Sequence, residues 1–205
     1  MQNLSVAAIP PWIADLLDLL AVVVEHKKIS PRLMIDVGSH DAQLALLLAE
    51  RLGVQGVLLT DIEPNLPASL VEKVPYAKVD AASTKFLDVF RGGFTLSTCL
   101  RSVHEFADPE IAIRNILETL RPGGLAIFVD YSEAGWEHQR AGLESGETWP
   151  LHFAEDIRNM ELHGLSTDQG ITDFWIRKIY RHFRGTFEFT FHGHLYMVTY
   201  QAPIT

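Results

Sequence analysis

The chain has 205 residues, 47% of them apolar, which suits one domain with a sizeable core and room for a small insertion. A formal net charge of -9 and a pI near 5.4 argue against a broad nucleic-acid surface, which is normally basic, and favour a small cationic or neutral partner. Cys99 is the only cysteine, so an internal disulfide is excluded and a reducing, cytoplasmic setting is expected.

Pro10-Pro11 opens an amphipathic helix to about Lys27, with apolar residues at 13, 16, 17, 20, 23 and 24. Asp15 and Asp18 interrupt its apolar run and no basic region precedes it, so neither a membrane span nor a signal peptide is expected. Residues 1–30 read as a helical cap. Leu33–Val37 reads as a strand that carries an acid, Asp36, near its end. Gly38 then turns the chain, and Gln43–Leu52 reads as a helix stopped by Gly53. Gly56–Asp61 and Tyr76–Asp80 repeat the pattern of a strand closed by an acid, with a short helix expected between Pro64 and Lys73. Ser83 is a candidate cap for a helix over Thr84–Phe90. Phe94–Cys99 is a fourth strand, polar at Thr95, Ser97 and Thr98.

Asp108-Pro109 is a helix start, with Glu110 and Arg114 placed to pair at i,i+4. Arg121-Pro122-Gly123-Gly124 is expected to stop that helix ahead of a fifth strand, Leu125–Asp130. Strands alternating with helices at this spacing imply a parallel sheet covered on both faces. From Tyr131 to Gly185 no buried strand is expected, only one or two helices. Thr186–Phe191 and Leu195–Tyr200 then flank His192-Gly193-His194 as a closing hairpin.

With the segments in this order, the chain resembles the class I S-adenosylmethionine-dependent methyltransferases, in their small-molecule, type 11/25-like group. Five stretches carry the resemblance: Asp36-Val37-Gly38, Thr60-Asp61-Ile62, Val79-Asp80-Ala81, the stretch from Phe94 to His104, and Leu120 to Gly124. It implies an α/β, Rossmann-like, doubly wound and mostly parallel seven-stranded sheet with a C-terminal antiparallel hairpin. It also implies S-adenosyl-L-methionine as cofactor. Asp36, Gly38, Ser39 and His40 would hold the methionine end, Asp61 and Ile62 the ribose region, and Asp80 and Ala81 the adenine. Cys99 would line the site through its backbone. The chain departs from the family at His40 and Ala42, where glycines are usual, and at Thr95, where an acid is usual. His40 would either narrow the cofactor site or point outward.

Residues 131–185 are the expected acceptor-binding insertion, with Trp136, Trp149 and Trp175 as candidate walls and Trp12 closing the top. His104, His138 and His152 are the candidate catalytic bases. Cys99 lacks the context of a nucleophile. The histidines at 138, 152, 163, 182, 192 and 194 match no zinc spacing, so no metal is expected. The expected partner is a small-molecule acceptor, not nucleic acid or membrane, and a homodimer is compatible with the sequence. Two other functions are alternatives. One is a cofactor-binding protein without methyltransfer. The other is a nicotinamide oxidoreductase, disfavoured by the missing Gly-x-Gly-x-x-Gly.

Overall fold

The computed structural model describes residues 11–63, 65–144 and 153–204. Seven strands form one sheet: β1 (Leu33–Val37), β2 (Gly56–Asp61), β3 (Tyr76–Lys78), β4 (Phe94–Leu100), β5 (Leu120–Tyr131), β6 (Thr186–His192) and β7 (Leu195–Gln201). Their order is β3-β2-β1-β4-β5-β7-β6. The first five run parallel, and β7 runs antiparallel to both β5 and β6. Strand order reverses between β1 and β4, which opens a crevice at their carboxyl ends where sheets of this type bind ligands.

Alternation along the strands builds two cores. Met34, Leu96, Leu125, Ile127, Val129 and Met197 point to the face covered by α1 (Pro11–His26) and α2 (Gln43–Leu52). Ile35, Val37, Cys99, Ala126, Phe128 and Val198 point to the other face. That face is covered by α4 (Thr84–Phe90) and α5 (Pro109–Glu118), after a short α3 (Ala68–Val71) on the way, and by the later helices α6 (Glu133–Glu144), α7 (Phe153–His163) and α8 (Asp168–Phe174). The buried stripe of α1 is Ile13, Leu16, Leu17, Leu20 and Val24, the spacing that puts one side of a helix on the sheet.

The polar residues of β4 are all bound. Thr95 Oγ1 accepts from the amides of Arg32 and Leu33 and donates to the Leu33 carbonyl, stitching the start of β4 to β1. Ser97 pairs with Thr119 at 2.6 Å, and Thr98 donates to Asp36 at 2.5 Å. A central strand therefore carries hydroxyls without leaving buried polar groups unpaired.

Four expectations differ from the structure. The helix expected over Pro64–Lys73 shrinks to Ala68–Val71, with Pro64 outside the described residues. Leu120 already pairs with Phe94, so Arg121-Pro122-Gly123-Gly124 forms a bulge inside β5 rather than a turn before it. Among its described residues the 131–185 segment holds three α-helices, not one or two, followed by the wider turn Trp175–Ile179 and a tight turn Tyr180–His182. Ser83 precedes α4 as expected, but its hydroxyl bonds the Asp80 carbonyl instead of capping the helix.

The β3–α4 turn is tied to the core by one side chain. Buried Asn115 on α5 donates to the carbonyls of Ala81, at 2.7 Å, and Ser83, at 3.4 Å. Asn115→Ala leaves the Ala81 carbonyl without its side-chain donor. It should cost about 1–3 kcal/mol of stability, read as a lowered urea midpoint at unchanged slope.

Candidate active site

The loop after β1 follows a left-handed path at alternate residues. Gly38, His40 and Ala42 have φ of 74°, 44° and 65°. Only the first is glycine, yet all three keep the backbone that glycine ordinarily supplies. Gly38 has a second reason to lack a side chain: a Cβ there would collide with Ser102 just beyond β4. Ser102 Oγ instead donates to the Gly38 carbonyl at 2.8 Å.

The loop is pinned from β2. The amides of Gly38 and Ser39 both donate to the Thr60 carbonyl, at 2.9 and 3.1 Å. Ser39 Oγ donates to the Asp36 carbonyl at 2.9 Å. The His40 amide donates to Asp61 Oδ2 at 2.7 Å, and the Glu63 amide donates to Asp61 Oδ1 at 3.0 Å. The His40 residue itself is exposed. Asp61 is thus held at the end of β2 by two amides. A carboxylate offers about four acceptor sites, so two remain for a pair of vicinal hydroxyls.

Ile62, next along, is 60% exposed, an apolar surface beside the acid. Asp80 is exposed just after β3, with Oδ1 accepting from the Ala82 amide at 2.8 Å, and Ala81 is buried behind it. The Asp61 carbonyl accepts from the Val79 amide at 2.9 Å, so these strand ends adjoin. Acid, apolar ledge and second acid follow in order along one edge, which fits the ribose and adenine of the expected cofactor.

Asp36 sits differently from the other two. It is buried on the α1–α2 face, bound by Thr98, and burial pushes its carboxyl up to about 7 from an ordinary 3.8. The hydroxyls of Thr98 and Ser39 oppose that rise, and the charge of Asp61 adds to it. A cation arriving at the crevice would favour its ionised form. Cys99 lies wholly in the core, where burial raises its thiol well above the usual 9.0. Its side chain is packing, and a thiolate there is disfavoured.

His104 follows β4 in a short turn, Val103–Glu105, and is buried. Its Nδ1 lies 2.8 Å from Asp130 Oδ1, and its amide donates to Asp130 Oδ2 at 2.9 Å. Asp130 Oδ1 also accepts from the Tyr131 amide at 2.8 Å. Asn159 of α7 donates to the His104 carbonyl. The rings of Tyr131 and Trp136 pack against the imidazole at 5.5 and 5.4 Å between centroids. Burial pulls the imidazole pKa down, but the charge and hydrogen bond of Asp130, with the charges of Glu105 and Asp156, outweigh it. The net value lies above the ordinary 6.5. Nε2 is the remaining nitrogen, 3.9 Å from Glu105 Oε1.

The other candidates do not join this cluster. His138 is exposed on α6 and stacks on His194 of the β6–β7 turn, with centroids 5.0 Å apart. Trp136, two residues earlier, takes the buried side of the same helix. Trp175, expected as an acceptor wall, is core instead, packed on Phe128 at 5.0 Å. His152 and Trp149 lie outside the described residues. Among the described residues no cluster of three or more His, Cys, Asp or Glu is placed to hold a metal, and no helix is long and apolar enough to cross a membrane. An apolar cavity of about 190 Å³ lies between α8 with its following turn and the hairpin, lined by Trp175, Ile176, Phe187 and Phe189 among others, away from these acids.

Sequence reasoning missed Asp130, Ser102 and Arg101. Asp130 obeys the rule that selected Asp61 and Asp80, an acid closing a strand, and the same signal finds it. Ser102 and Arg101 matter through a close approach and a left-handed backbone, which leave no mark in residue type.

Residues 35–128 match the model of a family described as a methyltransferase domain. The ubiquinone/menaquinone biosynthesis C-methyltransferase UbiE of Vibrio campbellii is 27% identical over 110 residues, 49% of this chain and 41% of that relative. The UbiE protein of Vibrio cholerae is 26% identical over the same length. The matched stretch thus spans about two-fifths of these curated relatives. A putative S-adenosyl-L-methionine-dependent methyltransferase from Methanococcus maripaludis superposes with a TM-score of 0.64 at 14% identity, covering 95% of this chain and 89% of the other. The plantazolicin methyltransferase BpumL, solved in complex with S-adenosylhomocysteine (SAH), superposes with a TM-score of 0.62 at 10% identity, covering 93% and 89%.

Two predictions follow from the buried acid and the loop. The folded Asp36 carboxyl holds its proton up to about pH 7, whereas the unfolded one releases it near 3.8. The native state therefore binds the extra proton between those values, and the Asp36 contribution to stability falls as pH rises through them. Asp36→Asn should gain on the parent by on the order of 2 kcal/mol more at pH 8 than at pH 5, measured by urea unfolding at both. Ala42→Gly releases a left-handed alanine, and should raise stability or leave it within about 1 kcal/mol, whereas Gly38→Ala should lower it.

Proposed function

We propose that this chain, which carries the methyltransferase domain of the class I S-adenosylmethionine-dependent methyltransferases, methylates an O, N or C atom of a small-molecule acceptor. The observation that carries the cofactor half is the ordered edge described above: a left-handed loop, then Asp61, Ile62 and Asp80 at successive strand ends. Asp61 would accept the ribose hydroxyls, Ile62 would lie against the adenine, and Asp80 with Ala81 would bound its far edge. Asp36 and the 38–40 loop would face the methionine end. The fold's likeness to a protein solved with SAH supports the same cofactor. His40 and Ala42 do not count against binding, because the backbone keeps its glycine-like path through both.

Bound S-adenosylmethionine supplies a methyl group already activated on a sulfonium. What remains for the protein is alignment, and a base where the acceptor carries a proton. Asp130 holds His104 by Nδ1, which leaves Nε2 to accept a proton. The acceptor would lie over β4 and β5, beside the cofactor half of the crevice, under α1 and the 131–185 segment. UbiE is named a C-methyltransferase, so carbon acceptors belong in the search alongside hydroxyls and amines.

Calorimetry should detect binding of both S-adenosylmethionine and SAH, and Asp61→Ala should weaken SAH by about 1–3 kcal/mol through lost charged hydrogen bonds. Binding of NADH with neither of these would overturn the reading. Once an acceptor is found by screening for SAH release, the His104–Asp130 pair predicts a pH profile. The active base is neutral, so rate should rise with pH through the raised His104 pKa. Asp130→Asn removes the carboxylate that raises it, so the rising limb should move to lower pH. His104→Gln should cost about 10²–10⁴-fold in rate. An unchanged profile in both variants leaves alignment alone as the mechanism.

A further inference from the structure

Arg101 stands immediately after β4, at the reversal point of the sheet, and its φ of 64° is left-handed. A non-glycine residue in that conformation costs on the order of 1 kcal/mol, so the neighbourhood must impose it. The Arg101 amide donates to the Val129 carbonyl at 2.7 Å, which fixes the turn. The guanidinium is gripped between two rings, with Cζ 5.1 Å from the centroid of Trp12 on α1 and 5.1 Å from that of Tyr131 at the end of β5. One Nη also donates to the Tyr131 hydroxyl.

This grip holds the cation without neutralising it. Among the described residues no carboxylate lies within ion-pair distance of Arg101. Its Nε is buried and has no hydrogen-bond partner there. An acid-rich protein of net charge -9 has thus placed, just after β4, the parallel strand with no acid at its end, an arginine with one Nη engaged by Tyr131 and no ion-pair partner among the described residues. Stacked guanidinium with free N–H groups is the arrangement that receives a planar carboxylate through two parallel bonds.

We infer that Arg101, clamped by Trp12 and Tyr131, recognises a carboxylate on the methyl acceptor. The inference rests on the methyltransferase reading and narrows it: the acceptor is a small organic acid that also carries the nucleophilic atom. The carboxylate sits over β4, on the side of the crevice opposite Asp61 and Asp80. The cation at the acceptor end and the acids at the cofactor end give the two ligands opposite preferences, so neither competes well for the other's place. Trp12 makes α1 part of the acceptor site, since its ring is one wall of the clamp.

The methionine end of the cofactor also bears a carboxylate, and the test separates the two sources. SAH affinity is measured by calorimetry for the parent, Arg101→Gln and Arg101→Lys, with thermal unfolding as a check on folding. Turnover is then followed by SAH release with S-adenosylmethionine and matched pairs of acceptors. Each pair is a hydroxy- or amino-carboxylic acid, such as 4-hydroxybenzoate, and its methyl ester. The expected result is turnover confined to the acids. Arg101→Gln should leave the Kd for SAH within about threefold and raise the acceptor KM at least tenfold, with a smaller change in kcat. Arg101→Lys, which keeps the charge and loses the fork, should fall between. Turnover preferring the esters, an unchanged KM, or no turnover of any acid by a protein that binds SAH would overturn the inference. A tenfold or greater loss of SAH affinity would assign the arginine to the cofactor instead. Failure of the parent protein to bind SAH would be a different result, removing the methyltransferase reading on which the inference stands.

Discussion

The hydrogen bond from the His40 amide to Asp61 Oδ2 joins the β1 loop to the end of β2, the two parts of the proposed cofactor edge. The β1 loop must rise from the sheet, reverse in left-handed steps and enter α2 within five residues. Without three glycines that path is costly. The Thr60 carbonyl and the Asp61 carboxylate meet it by taking three consecutive loop amides, those of Gly38, Ser39 and His40. The same carboxylate that would bind a ribose is thereby oriented by the loop that would border the methionine. Loop strain and ligand geometry are one constraint, and Ser102 closes it from the β4 side through Gly38.

Buried acids are divided between the faces of the sheet, and their partners decide what each does. Asp36 meets only hydroxyl donors and a backbone with its own demands, so burial dominates and its carboxyl rises toward neutrality. Asp130, on the opposite face, collects the His104 ring, the His104 amide and the Tyr131 amide. The first arrangement stores a proton that a nearby cation can displace. The second raises the basicity of an imidazole and fixes its orientation. Aspartates near the ends of β1 and β5, on either side of β4, thus meet different partners because side-chain parity sends them to opposite faces of the sheet.

Much of the fold was legible because it follows from burial periodicity. β1, α2 and β2 match their expected bounds, and the αL cap at Gly53 ends α2 as its type suggests. Errors cluster where tertiary contacts override local signals. Arg121-Pro122-Gly123-Gly124 carries the composition of a turn, yet Leu120 pairs with Phe94 and draws it into β5 as a bulge. Trp175 stands between Phe174 and Ile176 in a stretch flanked by Asp173 and by Arg177 and Lys178, and the wide turn Trp175–Ile179 carries it into the core. On the site side, acids at strand ends were readable from position. The role of Arg101 was not, because it depends on an α1 ring, a β5 ring and a backbone angle that meet only in three dimensions.

The 131–185 segment links the site to the far edge of the sheet. Its first helix starts against the hairpin turn: the Ser132 amide and hydroxyl donate to the carbonyls of His194 and Gly193, and Gly135 is glycine because a Cβ would strike the His194 carbonyl. That docking sets the direction of α6 and so delivers Trp136 onto His104. α7 adds Asn159, which donates to the carbonyls of both His104 and Phe106. The histidine turn is therefore shaped by elements that come after the last parallel strand, and the antiparallel hairpin is part of what orients the site rather than an appendage to the sheet. Arg101 and His104 leave the same strand three residues apart, and each is held by a different partner of β5, Tyr131 for the one and Asp130 for the other. In the proposed reading, the cation and the imidazole that leave one strand exit, each fixed from β5, would give an anionic acceptor one group to grip it and one to take its proton.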